Sequence, residues 1–88
     1  MLIRYFAAAK AAVGVEQETL ELFEGAALSD VVHRLTELHP GAAAAQTPSL
    51  AKILARSSFL RNEVALRNFH EPLGREDVID ILPPFAGG

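Results

Sequence analysis

The sequence predicts an α+β domain in which a mixed sheet of about five strands carries one main helix on one face, with a short second helix beside it. Three observations carry that prediction. Strongly apolar strand patterns stand near both ends of the chain, Leu2 to Ala7 and Val78 to Leu82; one long amphipathic helix pattern lies between them; and 88 residues suffice for one core only.

Leu2 to Ala7 mixes β-branched, aromatic and aliphatic residues and reads as a buried first strand, with Leu2 and Phe6 on one face and Ile3 and Tyr5 on the other. Ala8 to Gly14 follows as a connection, Gly14 being a natural turn point. Glu18 to Leu22 alternates charge with leucine, as a strand with one wet face does, and its closeness to the first strand suggests an antiparallel hairpin. From Leu28 to His39 the residues Leu28, Val31, Val32, Leu35 and Leu38 recur at helical spacing, and Pro40-Gly41 stops the pattern. Burying five such side chains contributes on the order of 10 kcal/mol before entropy is charged, so this helix must pack on the sheet.

Thr47-Pro48 offers a cap followed by proline at the first helical position, with Leu50, Ile53 and Leu54 as the apolar stripe of a short helix to about Arg56. Ser58 to Arg61 and Val64 to Leu66 read as short strands about Asn62-Glu63, a weaker hairpin signal than Asn-Gly because glutamate disfavours positive φ. Glu71-Pro72-Leu73-Gly74 is loop, and Val78 to Leu82 suits a central strand. Two apolar strands at the chain ends fit most economically side by side, and a helix between the second and third strands makes that pair parallel. The result is the β-grasp, or ubiquitin-like, architecture over residues 1–82, with 83–88 as a flexible C-terminal tail.

Composition narrows the chemistry. There is no cysteine, which excludes a disulfide, a zinc ribbon or a catalytic thiol. A formal net charge of −3 is the opposite of the balance that nucleic-acid binding favours. No positively charged leader precedes an apolar stretch, and no apolar run approaches the about 20 residues of a membrane span, so a soluble, cytoplasmic protein without membrane contact is expected.

The informative chemistry is at the end, Leu82-Pro83-Pro84-Phe85-Ala86-Gly87-Gly88. Pro83 and Pro84 cannot donate to a strand ladder and fix φ, so they end the last strand and send the chain onward in a stiff, extended direction. From Pro83 onward an extended tail reaches about 20 Å, enough for its carboxylate to enter another protein's pocket. Gly87 and Gly88 bring no Cβ to clash with a narrow channel.

On a β-grasp pattern this ending becomes specific. Val78 to Gly88 resembles the close of the sulfur-carrier (small) subunit of molybdopterin synthase, which ends in two prolines, an apolar residue, a small residue and Gly-Gly. The likeness extends to Tyr5-Phe6-Ala7, Val13-Gly14, the helix after Leu28 and Pro72-Leu73, nearly the whole chain. The resemblance implies a non-catalytic carrier that binds no cofactor. Its Gly88 carboxylate is adenylated by a ubiquitin-activating-like adenylyltransferase using ATP, and is then thiocarboxylated. Bound to the large, catalytic subunit, expected as a heterotetramer of two small and two large chains, the tail would give sulfur to cyclic pyranopterin monophosphate. The resemblance also implies that Phe6, Leu66, Leu82 and Phe85 form an apolar docking patch and that Lys10 faces an acidic partner. Plain core packing is an equal reading for Phe6 and Leu82. Two departures touch local turns only: Glu76-Asp77 stands where Gly-Asp is usual, and Arg61-Asn62-Glu63 where Val-Asn-Gly is common.

Nothing else in the sequence forms a catalytic constellation. Asp30, His33 and Glu37 share a helical face without any zinc signature, so the solvated face of an amphipathic helix is expected rather than a metal site. His39 is expected to see solvent or the helix dipole, and Ser57 and Ser58 lack a Gly-x-Ser-x-Gly setting. The alternatives to the molybdopterin carrier are a β-grasp carrier for thiazole, cysteine or transfer-RNA thiolation, a ubiquitin-like modifier, and a simple interaction module.

Overall fold

The computed structural model describes residues 1–40 and 49–84. Along the chain come β1 (Leu2–Tyr5), α1 (Ala7–Val13), β2 (Gln17–Thr19), α2 (Leu28–Leu38), α3 (Leu50–Arg56), β3 (Ser58–Arg61), β4 (Val64–Ala65) and β5 (Val78–Leu82). The strands form one sheet in the order β2-β1-β5-β3-β4. Its central pair, β1 and β5, is parallel with Ile3 opposite Ile79 and Tyr5 opposite Ile81, and every other pair is antiparallel. The fold is therefore the β-grasp that the order of elements predicts.

Alternation along the two central strands separates the faces. Ile3, Tyr5, Ile79 and Ile81 are at most 2% exposed and join Phe59, Leu28, Val31 and Leu35 in the core, on the side that the helices cover. Leu2, Arg4, Leu60 and Leu82 point the other way and are half-buried. No helix lies over them among the described residues.

Three segments differ from expectation. The first strand stops at Tyr5, and the connecting stretch forms helix α1. Alanine has the highest helix propensity, the buried pair Ala9 and Ala12 gives a narrow inner stripe, and Gly14 closes the helix at φ 91 with its N–H on the Lys10 carbonyl at 2.8 Å. Strand β2 covers only Gln17–Thr19, and beyond it one further pair of backbone bonds forms, Met1 both donating to and accepting from the Leu20 backbone at 2.8 Å. Helix α3 begins at Leu50, capped by the Ser49 hydroxyl accepting from the Lys52 N–H at 3.3 Å; Thr47 and Pro48 lie outside the described residues.

The turn between β3 and β4 takes the left-handed geometry that a two-residue hairpin demands, with Asn62 at φ 49 and Glu63 at φ 70. Side chains fasten it to the start of β5. The Asp77 carboxylate accepts from the Gly74 N–H at 2.7 Å, from Arg61 Nε at 2.8 Å and from Asn62 Nδ2 at 2.9 Å, while Asn62 Oδ1 accepts from the Val78 N–H. Burial pushes the Asp77 carboxyl upward, yet the hydrogen bonds from Gly74, Asn62 and Arg61 outweigh it and hold the group below the ordinary carboxylate range.

Candidate functional site

Strand β5 ends in the middle of the sheet, so the chain leaves the domain between β1 and β3. Pro83 is half-buried and Pro84 exposed where it departs. Phe85, Ala86, Gly87 and Gly88, expected to form the reactive part of the tail, lie outside the described residues, as does the docking role given to Phe85.

Around this exit the sequence-predicted residues divide. Tyr5 opposes Ile81, so Phe6 stands one step further along, beside Leu82, and is 41% exposed. Leu82 is half-buried on the uncovered face. Lys10 lies on α1 close by, its Nζ 3.2 Å from Glu16 Oε1, and with Phe6 and Arg4 it lines a shallow cavity of about 380 Å³. Leu66 departs from expectation: it is only 7% exposed and belongs to the core. The register explains why. Ala65 pairs with Leu60 on the uncovered face, so the next residue turns inward, where the Leu66 N–H donates to the Phe59 carbonyl at 2.9 Å.

Two features of this region had no counterpart in the sequence reading. Arg4 and Asp80, opposite each other across the parallel central pair, form a two-pronged ion pair on the uncovered face, Nε to Oδ1 at 2.5 Å and Nη2 to Oδ2 at 2.7 Å. Hydrogen bonding to Asp80 raises the guanidinium above its ordinary value. On the other side, the Tyr5 hydroxyl donates to Glu18 at 2.5 Å, and the same carboxylate oxygen lies 2.8 Å from His39 Nε2. His39 therefore ties the end of α2 to β2, rather than facing solvent or only the helix dipole. Burial, with Glu18 adding to it, pushes the Tyr5 phenol far above its usual range.

Asp30, His33 and Glu37 have ordinary structural partners. Asp30 accepts from the Ala27 N–H at 2.9 Å as a cap on α2, and His33 faces Glu37 at 3.6 Å.

A mixed five-stranded sheet with helices on one face, an uncovered opposite face and a chain leaving from the central strand defines a ubiquitin-like β-grasp protein. The chain belongs to the ThiS family, whose model matches residues 3–88, through the Gly-Gly end. It is 29% identical over 87 residues to the molybdopterin synthase sulfur carrier subunit of Chlamydomonas reinhardtii, covering 98% of this chain and 95% of that one. Among solved structures it shares its fold with SAMP1 of Haloferax volcanii, a small archaeal modifier protein, at a TM-score of 0.77, 22% identity and coverage of 100% and 98%. The complex of subunits 1 and 2 of molybdopterin-converting factor from Helicobacter pylori matches at a TM-score of 0.64, 23% identity and coverage of 99% and 96%.

Proposed function

We propose that this chain is a sulfur carrier of molybdenum cofactor biosynthesis, with Gly88 as the reacting residue. The observation that carries the reading is the Pro-Pro-Phe-Ala-Gly-Gly ending, which lies within the span matched by the ThiS family and follows directly from the central strand of a β-grasp sheet. The Chlamydomonas relative supports the molybdopterin pathway over the other carrier pathways.

A free carboxylate is a poor electrophile. In the proposed cycle a ubiquitin-activating-like adenylyltransferase joins the Gly88 carboxylate to AMP, releasing pyrophosphate from ATP, and sulfur at the oxidation level of sulfide then attacks the acyl carbon, forming the C–S bond as AMP leaves, to give a thiocarboxylate. The domain provides a rigid handle. Pro83 and Pro84 stiffen the exit, the glycines pass a narrow channel, and Phe6 and Leu82 beside the exit serve docking. Within the complex the large subunit does the catalysis and the thiocarboxylate sulfur passes to cyclic pyranopterin monophosphate.

Reconstitution tests this reading: thiocarboxylated chain, large subunit and cyclic pyranopterin monophosphate, assayed for molybdopterin. Product is expected from the full chain and none from a chain lacking Gly87 and Gly88; equal product from both overturns the mechanism. A protein-modifier role is the second reading, favoured by the likeness to the Haloferax modifier protein. Branched peptides joining Gly88 to target lysines in the native cells would replace the carrier reading with it.

A further inference from the structure

Asp80 is the only buried charged residue among those described, at 4% exposed, and it sits at the centre of the uncovered sheet face. Its neighbours on that face, Leu2, Leu60 and Leu82, are apolar and half-buried. The fold does not require an ion pair there, because packed hydrocarbon in place of such a pair is often neutral or stabilising. What the pair provides is orientation: two contacts to Asp80 fix the Arg4 guanidinium, leave its Nη1 without a partner among the described residues, and keep the side chain 35% exposed.

That guanidinium also lines the cavity beside the tail exit. The cavity's charged lining is two cations, Arg4 and Lys10, against one carboxylate, Glu16, whose side chain is 78% exposed. Each cation already faces a carboxylate, Lys10 facing Glu16 at 3.2 Å and Arg4 facing Asp80, so what the cavity offers is not excess charge but the unfilled N–H donors of an oriented guanidinium, placed next to Phe6 and Leu82.

Resting on the carrier reading above, we propose that Arg4, held in place by Asp80, binds an acidic side chain of the large synthase subunit and thereby selects the partner that the uncovered face accepts. A planar guanidinium already anchored by one carboxylate presents its remaining N–H groups in a fixed direction, where a second carboxylate is bound at little entropic cost. A partner lacking an acceptor at that point must desolvate the cation without compensation, which is how one buried charge discriminates between surfaces. Asp80 is then a positioning residue, and Lys10 supplies a second cation.

Calorimetric titration of the full chain into the large subunit of the same organism, at low and high salt, tests the assignment. The double variant Arg4→Leu/Asp80→Leu removes both charges and leaves neither unpaired. It is expected to melt at or above the wild-type temperature, yet to bind about tenfold more weakly and with a shallower salt dependence. Binding within about twofold of wild type, with unchanged salt dependence, overturns the proposal while leaving the carrier reading intact. Failure of the wild-type chain itself to bind overturns both. Should the double variant not fold, Arg4→Lys gives the answer: it keeps the charge and loses the fork, so weakened binding supports the assignment and unaltered binding overturns it.

Discussion

Replacing Asp77 by alanine removes the acceptor for three donors at once, the Gly74 N–H, Arg61 Nε and Asn62 Nδ2. Hydrogen bonds to a charged group are worth about 1.5 to 3 kcal/mol each, but this side chain is 13% exposed, so water recovers part of the loss and the three are not additive. A net loss of about 3 kcal/mol is expected, and at about 4 to 8 °C per kcal/mol for a domain of this size the melting temperature falls by roughly 12 to 24 °C. The loss carries a pH signature. Because the folded carboxyl titrates below its ordinary value of 3.8, its contribution is fully present above that value and disappears as pH falls through the folded pKa. Thermal melts followed by far-ultraviolet circular dichroism at neutral pH and at pH near 3 measure both effects. The wild type should lose stability on acidification more steeply than Asp77→Ala, so the gap between them narrows. A variant that melts within a few degrees of wild type at neutral pH, or a gap independent of pH, would refute the idea that Asp77 clasps the β3–β4 hairpin to β5.

Glu63→Gly places a residue without a Cβ at φ 70 and should raise stability by about 1 kcal/mol, seen as a higher melting temperature; a decrease would contradict the strained turn. Leu35 is fully buried on α2, and Leu35→Ala should cost about 2 to 5 kcal/mol in denaturant unfolding, against less than about 1 kcal/mol for Leu38→Ala at a 41% exposed position. Tyr5 is the single tyrosine, so an alkaline absorbance titration reports it alone. Its phenol resists ionisation in the folded state, and stability therefore falls as pH rises above the ordinary value of 10.0; phenolate absorbance should rise together with loss of the dichroism signal, and its appearance in a still-folded protein would contradict the buried contact with Glu18.

The parts of the fold that were legible in the sequence are those where hydrophobic pattern and burial coincide. The last strand runs over Val78–Leu82 as its apolar run indicates, and α2 ends within one residue of the expected His39. Helix α1 was hidden because its inner face is built from alanine, which shows no contrast in a hydrophobic periodicity; its propensity and the glycine that caps it were the available signals. Leu38 illustrates the reverse: it keeps helical spacing, yet stands 41% exposed at the end of α2. The candidate site was legible where it is local, in the two prolines after β5 and in Phe6 beside them. The Arg4–Asp80 pair was not, since 76 residues separate its members and only the parallel register of β1 with β5 brings them opposite each other. Leu66 depended on register in the same way, as a slip of one residue exchanges the uncovered sheet face for the core.

The most direct test of the carrier account is the mass of the C-terminal peptide from the protein purified out of its own cells. A sulfur-for-oxygen increment located on Gly88 is expected in part of the population, and is expected to be absent when the adenylyltransferase gene is deleted. A Gly88 carboxylate unmodified under every condition in which molybdopterin is being made would contradict the carrier role.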